Sequence, residues 1–262
     1  MMKKNSKKTE TSWGKVADWY DEMLEEKDNT YQKNIILPNI LRLMNIKKGE
    51  VVLDLACGTG FFAREFFKKG AMVTGVDISP ELIEIGKKNS PKEIEYFSSS
   101  ANDLTKIKNG SIDKIAIILA IQNIENTSGV FNECNRVLKN GGKLFLVMNH
   151  PAFRIPKQSS WGFDEKNKIQ YRRMDEYMSE SKTKIEMHPG NGSGEQTISF
   201  HRPLQVYFKI LKKNGFCVTS LEEWISDKKS QPGPRAESED KARKEFPMFL
   251  FVEVKKVKEA IF

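Results

Sequence analysis

Residues 51–62 read VVLDLACGTGFF. Val51 to Leu55 is an apolar run bounded by turn residues, which predicts a strand buried on both faces. Asp54 lies inside that strand, and Gly58 and Gly60 fall in the turn that leads to a helix predicted over Phe61 to Lys69. Glycines at a strand-to-helix turn let backbone N–H groups approach a ligand closely, and the helix behind presents its positive end. With Ala63 the stretch also satisfies the G-x-G-x-x-A pattern of dinucleotide sites. Asp77, in GVDIS, closes the second strand where a carboxylate accepts bonds from both hydroxyls of a ribose. Asp54 then separates two nucleoside cofactors. A carboxylate this close repels the pyrophosphate of NAD but attracts the ammonium and sulfonium of S-adenosylmethionine. The other reading of the pair is local: Asp54 holds turn N–H groups and Asp77 caps the helix entered at Ser79-Pro80.

Outward from this stretch, strand and helix patterns alternate. Helices are predicted over Pro80 to Lys88 and Gly129 to Leu138. Strands are predicted over Met72 to Val76, Glu95 to Ser98, Ile112 to Ala120 and Lys143 to Met148. Such alternation predicts a parallel sheet covered on both faces. Trp13 to Met44 has helical spacing, with a break near Pro38. Leu204 to Lys213 is an amphipathic helix stopped by Asn214-Gly215. Phe216 to Leu221 and Phe249 to Val254 are further strands, separated by a polar stretch that contains QPGPRAESED.

The 262 residues, 39% hydrophobic and 30% charged, suit a globular α/β protein. The longest apolar run, Ile115 to Ile121, is far short of the roughly 20 residues a spanning helix needs, and no secretory pattern follows the basic start, so a cytoplasmic location is expected. Cys57, Cys134 and Cys217 are scattered, which predicts neither disulfides nor a metal site. The net charge is +8, but Lys3, Lys4, Lys7 and Lys8 carry half of it and the last eight residues a net +2. The body is nearly neutral, which disfavours nucleic acid as a partner and marks residues 1–12 as a flexible basic tail.

Taken together, DLACGTG, GVDIS, SSSANDL, SIDKIAIILAIQNIEN and RVLKNGGKLFLV resemble the successive motifs of the class I S-adenosylmethionine-dependent methyltransferases, in their ubiquinone/menaquinone-biosynthesis-like branch. The resemblance implies a Rossmann-like seven-stranded, mostly parallel sheet with helices on both faces and an antiparallel last strand. One methyltransferase domain is expected over 13–262, with an N-terminal helical lid at 13–48. It implies that Asp54, Ala56, Gly58, Thr59 and Gly60 hold the methionine part of the cofactor, Asp77 the ribose and Ile78 the adenine. Ser100 and Ala101 stand where the family often has an Asp-Ala pair at the adenine edge, so Asn102 or Asp103 replaces the missing carboxylate. Leu119, Ala120 and Gln122 are expected beside the sulfonium, and Tyr20 and Tyr31 either close a lid or pack as ordinary helix residues.

Residues 151–203 break the rhythm, and a hairpin is predicted from Lys182 to Met187 and Gln196 to Phe200 around PGNGSG. Following the fifth strand, on the side where open α/β sheets bind ligands, this insertion is expected to cap the acceptor. It includes or adjoins His150, His188 and His201. His150 and His201 are the candidate bases, against the alternative that both are structural. Trp161, Tyr171 and Tyr177 form either an acceptor pocket or the insertion's own core. Its arginines suit an anionic group on the acceptor unless they pair with the insertion's acids. A small-molecule acceptor is the leading expectation. An RNA or protein methyltransferase and a catalytically silent S-adenosylmethionine-binding module are the alternatives.

Overall fold

The computed structural model describes residues 12–26, 28–187 and 194–257. The expected basic tail falls at 1–11 outside the described residues, as do His188 and most of the PGNGSG turn. Chain order begins with a tight helical turn at Ser12–Val16, α1 (Ala17–Glu26), a π turn (Gln32–Ile36) and α2 (Leu37–Met44). Then follow β1 (Val51–Leu55), α3 (Phe61–Lys68), β2 (Met72–Asp77), α4 (Pro80–Asn89), β3 (Glu95–Ser98), β4 (Ile112–Ile118), α5 (Thr127–Val137) and β5 (Leu138–Asn149). The chain ends with β6 (Ser159–Asp164), β7 (Ile169–Met174), β8 (Ser181–Glu186), β9 (Gln196–His201), α6 (Leu204–Lys213), β10 (Phe216–Trp224), α7 (Ala236–Glu245) and β11 (Phe249–Lys256).

Seven strands form one sheet in the order β10-β11-β5-β4-β1-β2-β3. β11 runs antiparallel to both its neighbours, and the remaining pairings are parallel. This is the expected Rossmann-like architecture. Alternation along the strands divides the core in two. Leu53, Leu55, Ile115, Ile117, Leu144 and Leu146 face α5 and α6, where Phe131, Val137 and Leu211 are buried. Val52, Ala116, Ile118, Phe145 and Val147 face α2 and α3, where Ile40, Met44 and Phe66 are buried. Burial on both faces explains why these strands read as continuous apolar runs. Strand order reverses direction between β1 and β4, so the crevice beyond their C-terminal ends is the ligand position of an open α/β sheet.

Three details depart from the sequence reading. Pro38 breaks nothing: the N–H of Leu37 donates to the carbonyl of Gln32 in a wider π turn, and Pro38 enters α2 in its first turn, where its missing N–H costs least. The break falls instead at residues 28–30. The insertion holds a second hairpin, β6 with β7, beside the expected pairing of β8 with β9. A helix, α7, occupies part of the stretch read as polar loop; only Ala242 is buried among its residues, so it carries no apolar stripe to be read. No helix among the described residues is long and apolar enough to cross a membrane.

Candidate active site

At the C-terminal ends of β1, β2 and β4 a cavity of about 450 Å³ opens, lined by Asp54, Ala56, Gly58, Asp77, Ile78, Ser100, Ala101, Leu119 and Ala120. Trp13 and Tyr20, in edge-to-face contact at 5.5 Å, cover it from the N-terminal segment. Thr197 and Ile198 of β9 close another side.

Asp77 is nearly buried, and each oxygen already accepts one backbone N–H: Oδ2 from Gly58 at 3.0 Å and Oδ1 from Ser79 at 2.9 Å. Burial still raises its pKa above the usual carboxylate range. Each oxygen keeps a lone pair for a ligand hydroxyl. The helix cap is Ser79, whose hydroxyl accepts from the N–H of Leu82, so capping does not occupy Asp77. Asp54 is buried too. The N–H of Ala63 donates to its carboxyl group, but Oδ2 has no partner. Burial, reinforced by Asp77, pushes its pKa up to about 7. Two buried carboxyl groups in one cavity, one with an unpartnered oxygen, attract a ligand that brings a cation and hydroxyls and repel a pyrophosphate, while the exposed Glu125 at the rim is paired with Lys182. Asp77→Ala should weaken binding of an adenosyl ligand by about 1.5 to 3 kcal/mol, the range for hydrogen bonds to a charged group. It should also lower stability, because two backbone donors lose their acceptor. Calorimetry and urea unfolding read the two effects separately.

Four expected cofactor residues stand elsewhere. Thr59 is fully buried and does not line the cavity. Gly60 begins α3 at φ +76°, and a Cβ there would lie 2.2 Å from the hydroxyl of Tyr96, so this glycine serves the packing of the turn. Tyr31 packs edge-on against Phe249 at 5.8 Å and meets Ser226 at 3.3 Å, away from the cavity. Gln122 lines a second cavity, of about 400 Å³, under the insertion. Conversely, Trp13 and the β9 residues carried no motif. Of the two stand-ins considered for Ser100, Asn102 lines the first cavity and accepts from the Ser100 hydroxyl at 2.6 Å, whereas Asp103 does not line it.

Neither histidine faces the first cavity. His150 is 2% exposed; Nδ1 accepts from the N–H of Ala152 at 3.2 Å, and Nε2 therefore carries the proton donated to Glu223 at 2.8 Å. Burial outweighs Glu223 and lowers its pKa, keeping the ring neutral. With both nitrogens engaged, its geometry is that of a structural residue. His150→Ala should cost roughly 2 to 4 kcal/mol of stability and leave adenosyl-ligand affinity unchanged, as thermal unfolding and calorimetry would show. His201 lines the second cavity, with Nε2 donating to the Tyr177 carbonyl at 2.8 Å.

The insertion's aromatics also separate. Trp161 lines the second cavity. Tyr171 is exposed, covering Gly162, and the Tyr177 hydroxyl accepts from the N–H of Leu204.

Residues 53–146 match the family model of a methyltransferase domain. The matched span takes in most of β1 through most of β5, with every acidic group of the first cavity. Over 101 residues, 37% of this chain, it is 33% identical to a ubiquinone biosynthesis O-methyltransferase of Xanthomonas oryzae pv. oryzae. Over 111 residues it is 32% identical to a demethylmenaquinone methyltransferase of Tropheryma whipplei. The chain spans 42% of the first relative's length and 46% of the second's. The fold of the whole domain is shared more widely. An S-adenosylmethionine-dependent methyltransferase from Mesorhizobium loti superposes with a TM-score of 0.67, covering 87% of this chain and 99% of that one at 23% identity. The methyltransferase domain match ends at residue 146, before the insertion begins, so the lining of the second cavity, Gln122 excepted, lies outside it.

Proposed function

We propose that the chain transfers a methyl group from S-adenosylmethionine to a small-molecule acceptor held under the 151–203 insertion. The observation that carries this reading is the unpartnered, buried Oδ2 of Asp54 in a cavity that also holds Asp77. An ammonium group satisfies that oxygen and returns the carboxyl to its ionised form. The donor set therefore fits S-adenosylmethionine: Asp54 takes the ammonium, Asp77 the ribose, Ile78 the adenine face and Asn102 its edge. When bound, the cofactor supplies an electrophilic methyl on a sulfonium. The chain's own contribution is alignment. Leu119 and Ala120 flank the reacting end, and Trp13 and Tyr20 act as the lid that keeps water out.

The quinone-pathway relatives give this reading its class but no acceptor. Their names include both an O-methyltransferase and a demethylmenaquinone methyltransferase, and the domain match ends before the insertion. Release of S-adenosylhomocysteine over a metabolite library tests the proposal. At least one small acceptor should turn over, and turnover should survive deletion of Met1 to Lys8, since the cavity is built from the sheet. Activity found only on RNA, and lost with that deletion or with modest added salt, would favour the nucleic-acid alternative.

A further inference from the structure

The second cavity has a chemistry opposite to the first. It shares Phe200 with the cofactor cavity, and Gln122 lines it two residues after Ala120 lines the other, so the two cavities adjoin at the end of β4. Its walls include Arg154, Arg172 and Arg202 and, among the described residues, no carboxylate. Ion pairing within the insertion, the simplest use for its arginines, holds for Arg173, whose Nε meets Asp175 at 2.8 Å. It does not hold for the two that matter here. Arg154 is open to solvent and to the cavity, its side chain pairs with no carboxylate among the described residues, and the desolvation that lowers its pKa is opposed only by Tyr31. Arg172 spends Nε on the Phe153 carbonyl and Nη2 on Ser159, stacks over Trp161 at 5.0 Å, and feels Arg154 as a like charge. Two guanidiniums that line one cavity and repel one another favour an anion between them.

Two further side chains in the same cavity each leave one polar atom without a partner. Arg202 is 6% exposed; its Nε lies 3.9 Å from Glu180 and its Nη2 donates to the carbonyls of Ile124 and Glu125, but Nη1 has no hydrogen-bond partner. Gln122 donates from Nε2 to the Leu119 carbonyl at 2.7 Å, which fixes the amide and leaves Oε1 buried without a donor. A buried acceptor fixed in this way calls for a hydroxyl or an amine. The rest of the lining includes Trp161, Ile155 and Ile185, which suit an apolar body.

We propose that the methyl acceptor is a small organic anion: a carboxylate held between Arg154 and Arg172, an apolar body, and a hydroxyl or amine that donates to Gln122 Oε1 beside the cofactor cavity. Planar guanidinium forks match a carboxylate's two oxygens, which favours this anion over a neutral quinol ring. The proposal rests on the methyltransferase reading above, and its test keeps the two apart.

The full chain, saturated with S-adenosylhomocysteine, is titrated with benzoate, p-hydroxybenzoate and hexanoate and with the three matching amides at constant ionic strength, followed by ligand-observed NMR. At least one acid should bind ten-fold or more tightly than its amide, with p-hydroxybenzoate the tightest. Arg154→Met should abolish that preference and Arg154→Lys should keep part of it, while S-adenosylhomocysteine affinity stays within two-fold in both. The Arg154 side chain makes no hydrogen bond among the described residues, its backbone N–H to the His150 carbonyl is kept in either variant, and the acid-to-amide ratio of the parent chain stands whether or not a variant folds. Absence of binding by all three acids, equal binding of acids and amides, or a preference that survives Arg154→Met would overturn the proposal. Failure of S-adenosylhomocysteine itself to bind would overturn the methyltransferase reading instead.

Discussion

Asp54→Asn should weaken S-adenosylhomocysteine binding about 100-fold at pH 7.5 and, in the same protein, raise the melting temperature of the ligand-free state. Both effects follow from one buried carboxyl. Its folded-state pKa is about 7 against an unfolded value of 3.8. Between those two values the folded chain keeps a proton that the unfolded chain has lost, so stability falls as pH rises through the window. Asn removes the charge and keeps the acceptor for the Ala63 N–H. At pH 7.5 the variant should gain about 2 kcal/mol or more, at least about 4 °C. The gain should shrink below pH 7 and vanish near pH 4. Binding has the complementary dependence. A cationic ligand needs the ionised form, so parent affinity should fall up to about ten-fold per pH unit below pH 7, with proton release on binding, and the variant's affinity should be flat. A variant destabilised at pH 7.5, or one that binds as the parent does, would remove Asp54 from the site.

The second large effect concerns the turn. Gly60→Ala should cost roughly 2 to 5 kcal/mol, joining the penalty of a left-handed backbone to that of an overpacked neighbour. The added methyl would fall 2.2 Å from the Tyr96 hydroxyl at φ +76°. Gly110 is the matched control: it has φ +59° and nothing within 4 Å, so Gly110→Ala should cost only the conformational part, about 1 kcal/mol. Urea unfolding of the two variants isolates the collision. Equal costs at both positions would mean that Tyr96 yields and that Gly60 has some other role.

Gly60 also marks the boundary of what local sequence can convey. The motif DLACGTG announces a strand, a turn and a close backbone approach, and the alternation around it announces a parallel sheet. It does not say which glycine faces the ligand and which faces Tyr96, a residue of β3 whose ring reaches the turn only in the folded sheet. Asp54, Asp77, Ile78 and Ala101 were legible because strand ends converge wherever parallel strands align. Tyr31 was not: the same helical spacing serves a lid residue and one packed on Phe249, and β11 lies over 200 positions away. His150 was misleading for a related reason. Its place after β5 is right for a base, but Glu223 and the Ala152 N–H occupy both ring nitrogens.

The insertion was the least legible part. No residue of β6 or β7 is fully buried, so no apolar run marks them. α7 is a charged helix with a single buried residue. The second cavity takes its arginines from three separate places in the chain, and only the fold reveals that Arg173 is paired while Arg154 is not. The chemistry of the second cavity therefore resides in geometry, whereas that of the first is written in two short motifs.

The central claim, that the first cavity is built for an adenosyl ligand bearing a cation and not for a pyrophosphate, is tested most directly by calorimetry of the full chain at pH 8 with S-adenosylhomocysteine and NAD in turn. The account predicts saturable one-to-one binding of S-adenosylhomocysteine and no heat from NAD. Saturable binding of NAD, or none of S-adenosylhomocysteine, would contradict it.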